Sequence, residues 1–190
     1  MRGATLLLEE GKENVSSSEL AKFLGLNSAK IRKDISYFGK FGTRGVGYNT
    51  LKLIKQISKI LKIDKQHKAV LVGVGNLGKA IMAYTGFAVY GFSIEAAFDS
   101  DTKKIGTKVN GIVVEDITKL ESMRSEKIQM AILTVNCEQA QQVADSLVSN
   151  GVKGILNFSP CQIEVPRGVK VISIDIALDM ARLPYYIPKI

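Results

Sequence analysis

The chain has one histidine, His67, and two cysteines, Cys137 and Cys161, in 190 residues. That scarcity removes most metal-centred readings. The cysteines are far apart in sequence, form no C-x-x-C and have no histidine beside them, so they read as small packing residues without a metal or disulfide role. His67 falls where two composition regimes meet and reads as solvated rather than chemical. No apolar run reaches about 18 residues, and the start lacks the basic, apolar, small-residue order of a secretory leader. These absences point to the cytoplasm.

Positive charge is abundant but confined to one region. Residues 1–67 hold 13 Lys plus Arg against 6 Asp plus Glu, whereas residues 68–190 hold 13 against 12. A field so concentrated favours a polyanion, and nucleic acid is the commonest one for a basic domain; a membrane surface is the rival. Within this third, Ser16 and Glu19 have capping-box spacing ahead of Leu20, Phe23 and Leu24 on one helical face. Gly25-Leu26-Asn27 breaks that helix. A second follows from about Ser28 to Phe38, with Ile31, Ile35 and Phe38 as its apolar stripe. Two short helices joined by a glycine-containing turn predict a helix-turn-helix. Lys30, Arg32, Lys33, Ser36 and Tyr37 lie mostly off the stripe and offer cations, a hydroxyl and an aromatic ring to a DNA groove. Lys40 to Tyr48, punctuated by three glycines, reads as a wing with Arg44 at its tip and Phe41 and Tyr48 at its base. Thr50 then caps a helix carrying Leu53, Ile54, Ile57, Ile60 and Leu61.

The second region opens with the apolar run Ala69 to Val72, followed by Gly73-Val74-Gly75-Asn76-Leu77-Gly78. This G-x-G-x-x-G spacing between a strand and a helix is the fingerprint of a dinucleotide pyrophosphate site. Gly73 permits the tight turn, Gly75 lets backbone approach the phosphates, and Gly78 lets helix and strand pack closely. The next strand, Phe92 to Phe98, ends on Asp99, 21 residues past Gly78. An acid there can accept both ribose hydroxyls of an adenosine and would repel the 2′-phosphate of NADP. Asp101 is the second candidate, and Lys103 and Lys104 stand nearby; Asp99 as a surface acid merely ending a strand stays open.

Strand and helix patterns then alternate, with strands at Ile112 to Val114, Ile128 to Val135, Ile155 to Phe158 and Val169 to Ile174, which predicts a parallel sheet covered on both faces. A helix with Ile117 and Leu120, a second with Ala140, Val143, Ala144, Leu147 and Val148, and a terminal helix over residues 175–183 complete the pattern. Thr134, Asn157 and Ser159 at strand ends are the expected polar contacts to the cofactor. The fold class is α/β, in three parts: a winged helix-turn-helix DNA-binding domain (residues 1–67), a Rossmann NAD(H)-binding domain (68–174), and a C-terminal helix and tail (175–190). No catalytic residue is assigned, because the nucleotide fold leaves no catalytic domain and the sole histidine precedes its first strand.

The joined motifs Ile31-Arg32-Lys33-Asp34-Ile35-Ser36-Tyr37-Phe38-Gly39, Gly45-Val46-Gly47-Tyr48, the glycine turn, Phe98-Asp99-Ser100-Asp101 with Lys104-Ile105-Gly106, and Gly154-Ile155-Leu156-Asn157-Phe158 resemble the Rex family of redox-sensing repressors over nearly the whole chain. The resemblance implies a homodimer that binds a palindromic operator in double-stranded DNA when NADH is scarce and releases it when NADH binds, with NAD+ as a weaker or non-releasing competitor. It also implies that the C-terminal helix is exchanged with the partner subunit, and that Arg2, Tyr84 and Asp175 form a switch near the nicotinamide. Two departures stand out. Only nine residues precede Glu10-Gly11, and the prolines of Leu183-Pro184-Tyr185-Tyr186-Ile187-Pro188 should stop the exchanged helix early. A regulator responding to another adenine nucleotide, such as a CoA-type ligand, and a small NAD-dependent dehydrogenase are the alternatives.

Overall fold

A computed structural model describes every residue except Lys40, Arg44, Ser125, Glu126 and 188–190, with all described side chains but that of Arg124. The chain divides into two compact units, Met1–Lys65 and Gln66–Ile190. His67 is not a solvated junction residue: it opens a strand of the second unit and its ring stacks on Phe92, centroids 5.3 Å apart.

The first unit runs α1 (Arg2–Glu9), β1 (Asn14–Val15), α2 (Ser17–Leu24), α3 (Ser28–Ser36), β2 (Gly42–Thr43), β3 (Gly47–Asn49) and α4 (Thr50–Ile60). Ser16 caps α2 in a reciprocal capping box: its side chain accepts from Glu19 N, and its own N–H donates to Glu19 Oε2 at 2.8 Å. Lys12 Nζ lies 2.8 Å from Glu19 Oε1, and this bond together with those from Ser16 holds the Glu19 carboxyl down to about 2. Gly25, left-handed at φ 64°, ends the helix, and Asn27 caps α3 by accepting from Ala29 N at 2.7 Å.

The antiparallel sheet has the order β1-β3-β2. Gly47 is obligatory in it, since φ is 92° and a Cβ would stand 2.5 Å from Val15 O. Ala4, Leu7, Val15, Leu20, Ala21, Ile31 and Leu53 are the buried core, with Ile35, Phe41 and Tyr48 packed on it. Three details differ from the periodicity. Phe23 and Leu24 remain 43% exposed while Ala21 is buried; α3 stops at Ser36, which leaves Phe38 outside the stripe; and Asn49, not Thr50, caps α4. Thr50 is instead fully buried, its hydroxyl donating to Lys12 O at 2.7 Å and its N–H to Glu13 O at 2.8 Å.

In the second unit the elements are β4 (His67–Val72), α5 (Asn76–Met82), α6 (Gly86–Val89), β5 (Phe92–Asp99), β6 (Lys108–Val109), β7 (Ile112–Asp116), a 3₁₀ turn (Ile117–Arg124), β8 (Met130–Leu133), α7 (Cys137–Ser149), β9 (Gly154–Asn157), β10 (Lys170–Ser173) and α8 (Ile176–Tyr186). The strands form one seven-stranded sheet in the order β10-β9-β8-β4-β5-β7-β6, parallel except for the β6–β7 hairpin. Val70, Val72, Phe98, Ala131 and Leu133 point to the face covered by α7, where Ala140, Val143, Ala144 and Leu147 are buried. Leu71, Ala97 and Ile132 point to the opposite face, with Ile81 and Met82 of α5. From β4 the chain builds outward first through β5 and β7, then back through β8, β9 and β10. The strand order therefore reverses at β4 and β8, and in a sheet of this kind a ligand crevice opens at the carboxyl ends of those strands.

Pro184 does not stop the last helix. α8 continues through it to Tyr186, at the cost of the hydrogen bond that Met180 O would have accepted. None of the helix is buried.

Candidate nucleotide cleft and nucleic-acid face

At the crevice a cleft of about 260 Å³ is lined by Gly73, Gly75, Asp99, Asp101, Lys104 and Thr134, among others. The three glycines have distinct surroundings. Gly73, at φ 100°, passes so close to the end of β8 that a Cβ would lie 2.7 Å from Thr134 O. At Gly78 a Cβ would meet Gly73 O at 2.1 Å, so this glycine lets α5 press on the turn. A Cβ on Gly75 would meet nothing within 4 Å. Gly75 is also the N-cap of α5 and offers no side chain to its first N–H groups. The turn thus presents uncapped donors beside open space, an arrangement suited to a phosphate group.

Thr134 and Asp99 fix the turn from two sides. Thr134 Oγ1 donates to Gly73 O at 2.6 Å. Asp99, 6% exposed, accepts from Val74 N at 2.7 Å and Lys104 Nζ at 3.0 Å on Oδ2, and from Asp101 N at 2.9 Å on Oδ1. Burial pushes the Asp99 carboxyl up, but the bonds from Asp101, Lys104 and Val74 outweigh it and hold it below the usual range. A carboxylate has about four lone-pair sites, and three are taken here. Asp101, whose side chain is 43% exposed, is a second acid lining the same cleft.

Two further expectations change. Asn157 and Ser159 are 0% and 3% exposed and do not line the cleft. Asn157 Nδ2 donates to Cys161 O at 2.9 Å, its Oδ1 accepts from Ser159 N at 2.9 Å, and Ser159 Oγ donates to Val135 O at 2.7 Å. Their polar atoms shape the crevice wall from behind. Val74 is likewise fully buried and contributes its N–H, while Asn76 and Leu77 stand exposed at the start of α5. Gln139 and Ser100 also line the cleft; Ser100 lies within the Phe98–Asp101 motif but was not named as a contact, and no local motif marks Gln139.

On the first unit, Lys30, Arg32, Lys33 and Tyr37 are exposed along and just after α3, and Ser36 Oγ donates to Lys33 O at 2.7 Å. A groove of about 550 Å³ runs between α3 and the β2–β3 hairpin and includes Arg32, Ser36 and Ser17. Arg32 Nη1 donates to Ser17 Oγ at 3.0 Å, which orients the guanidinium toward that groove. Lys40 and Arg44 lie outside the described residues. Arg2 is exposed on α1; Tyr84 is 63% exposed, edge-on to Phe87; Asp175 caps α8, accepting from Leu178 N at 2.9 Å.

Residues 64–161 match the family model described as a CoA binding domain, and residues 1–36 match one described as "Putative DNA-binding protein N-terminus". The chain is 43% identical to the redox-sensing transcriptional repressor Rex of Syntrophomonas wolfei, over 95% of this chain and 87% of that one. It is 45% identical to that of Carboxydothermus hydrogenoformans, over 95% and 88%. The chain belongs to the Rex family. It is therefore a transcriptional repressor by family and not an enzyme, and its dehydrogenase-like sheet is a regulator's nucleotide fold.

Solved structures of RSP, a Rex-family repressor, are similar over 97% of this chain. The crystal structure of RSP in complex with β-NAD+ and operator DNA is similar with a TM-score of 0.92 at 34% identity, covering 97% of this chain and 86% of that one. RSP in complex with β-NADH is similar with a TM-score of 0.87 at 33% identity, covering 97% and 87%. No helix among the described residues is long and apolar enough to cross a membrane.

Proposed function

We propose that this Rex-family chain is a cytoplasmic, homodimeric repressor that occupies a palindromic operator when NADH is scarce and leaves it when NADH binds. The observation that carries the reading is the cleft itself: an open Gly75, uncapped helix donors and a carboxylate tied to the same turn, in a chain whose Rex-family relative RSP is known with NADH, and with NAD+ and operator DNA. The pyrophosphate would be held by the turn Gly73 to Gly78, and the adenosine ribose by Asp99 and Asp101. These carboxylates disfavour a 2′-phosphate, so NAD(H) is preferred over NADP(H). The dinucleotide contributes a difference in nicotinamide charge and shape between its two redox forms, and no group here needs to react with it.

On the first unit, Arg32 and Lys33 contact DNA with Lys30, Ser36 and Tyr37, and the wing adds Lys40 and Arg44. α8 supplies the exchanged element of the dimer, supported by its apolar and wholly exposed surface, with Arg2, Tyr84 and Asp175 as the switch residues.

The test is fluorescence anisotropy on a palindromic operator selected from random DNA, titrated with NADH, NAD+ and coenzyme A in parallel. Release by NADH and not by NAD+ is expected. Release by coenzyme A alone would instead favour the reading suggested by the CoA-binding domain match. Tight DNA binding indifferent to all three ligands would refute the sensor.

A further inference from the structure

Cys137 and Cys161 are 24 residues apart in sequence, yet the fold places them together. Cys137 is the exposed first residue of α7, and Cys161 follows β9, half-buried against the core. Cys161 Sγ donates to Cys137 O at 3.7 Å, so the fold brings the second cysteine onto the backbone of the first. Cys161 packs against the core as expected, and the separation of the two cysteines in sequence is not kept in the fold.

Bonds that use neither sulfur hold the pair in place. Ser159 Oγ donates to Val135 O, and Asn157 Nδ2 donates to Cys161 O. On the other side, Gln141 Nε2 donates to Glu164 O at 2.9 Å while Glu164 N donates to Gln141 Oε1 at 2.8 Å. The segment carrying Cys161 is therefore stitched to α7 before any sulfur bond exists.

We propose that Cys137 and Cys161 form a reversible intramolecular disulfide next to the nucleotide cleft, with a peroxide as oxidant. In the first step the Cys137 sulfur attacks a peroxide oxygen; an S–O bond forms, the O–O bond breaks, and the departing oxygen takes the Cys137 proton to leave as water. In the second, the Cys161 sulfur attacks the resulting sulfenic acid; the S–S bond forms, the S–O bond breaks, and the hydroxyl leaves as water with the Cys161 proton. Two thiols lose two electrons and one hydrogen peroxide becomes two waters. Cys137 is the more exposed of the two and meets the oxidant first, while contact with the Cys137 side chain and then burial push the Cys161 thiol up.

Val135 and Asn136 line the cleft and immediately precede Cys137. A bond from Cys137 to Cys161 fixes that wall to the segment after β9, so thiol oxidation becomes a second redox input to nucleotide binding. This consequence rests on the proposed nucleotide reading; the disulfide itself does not.

The experiment treats the full chain with graded hydrogen peroxide and follows free thiols, intact mass and non-reducing electrophoresis, beside Cys137→Ser and Cys161→Ser. Both thiols should disappear together, the mass should fall by two hydrogens within a single chain, and dithiothreitol should restore both. Addition of oxygen to Cys137 with Cys161 still free, or a cross-link between chains, overturns the proposal. NADH affinity is then measured on both forms, and oxidation should shift the dissociation constant by about fivefold or more, with neither serine variant responding. An unchanged constant overturns the coupling to the cleft. Absence of NADH binding to the reduced chain would instead count against the nucleotide reading, and the thiol result would stand independently.

Discussion

Gly75 and Gly78 belong to one turn, but a methyl group added to each meets different surroundings. At Gly75 it enters open space, whereas at Gly78 it lies 2.1 Å from Gly73 O, a backbone atom that cannot swing aside. Gly75→Ala should therefore leave thermal stability nearly unchanged and weaken NADH binding by intruding on the phosphate position. Gly78→Ala should destabilise the nucleotide unit by about 1–3 kcal/mol or more, the cost of overpacking. Calorimetry with NADH titration separates the two, and equal loss of stability in both would contradict the assignment. Asp99 makes a pH argument at the same scale. Its carboxyl is held below the ordinary range in the folded chain, so the unfolded chain binds more protons and the contribution of Asp99 is present at neutral pH. That contribution drains away as pH falls from the ordinary carboxylate value, about 4, through the lower folded value. The melting temperature of the parent should exceed that of Asp99→Asn at about pH 7, and the gap should shrink below about pH 4. A gap that widens on acidification would reverse the assigned sign.

Among the elements, α8 carries the clearest expectation. Ile176, Leu178, Met180 and Leu183 are each more than half exposed, and the helix has no buried residue. An apolar helix left in water is an element awaiting a partner surface. The triple variant Leu178→Gln, Met180→Gln, Leu183→Gln should shift the protein from dimer to monomer in light scattering; a dimer that persists would remove α8 from the interface. The elements also show what local sequence can specify. The capping box at Ser16 and Glu19, the apolar face of α7 and the glycine turn were legible because each depends on contacts within a few residues. The two-residue strands β1 and β6 were not, since nothing in Asn14–Val15 or Lys108–Val109 announces the strand that pairs with them. Asn157, Ser159 and Thr50 misled for the same reason. A polar residue at a strand or helix end has the same local pattern whether it faces a ligand or bonds a distant carbonyl, and only the fold decides. The cysteine pair is the extreme case, joined by a crossover that no spacing rule encodes.

For the molecule as a whole, the unequal division of charge has a measurable consequence. The basic excess lies in the first unit and the cleft in the second, so electrostatic contributions to DNA binding and to NADH binding can be altered separately. Each phosphate neutralised on duplex DNA adds about 0.9 to the slope of log affinity against log salt. In a dimer Arg32→Ala removes two such cations, so operator binding should weaken and its salt slope should fall by about two if each Arg32 meets one phosphate. NADH affinity in the absence of DNA should not change. The two sites remain linked thermodynamically: whatever factor NADH takes from operator affinity, the operator must take from NADH affinity. Titrating NADH into the chain alone and into the chain saturated with operator therefore yields the same factor as titrating operator with and without NADH. In Arg32→Ala that factor should survive even though both operator affinities drop, because the lost contact holds DNA and does not distinguish the NADH-bound chain from the free one. A coupling factor that collapses with Arg32 would place this arginine within the switch itself and not only on the DNA-holding face.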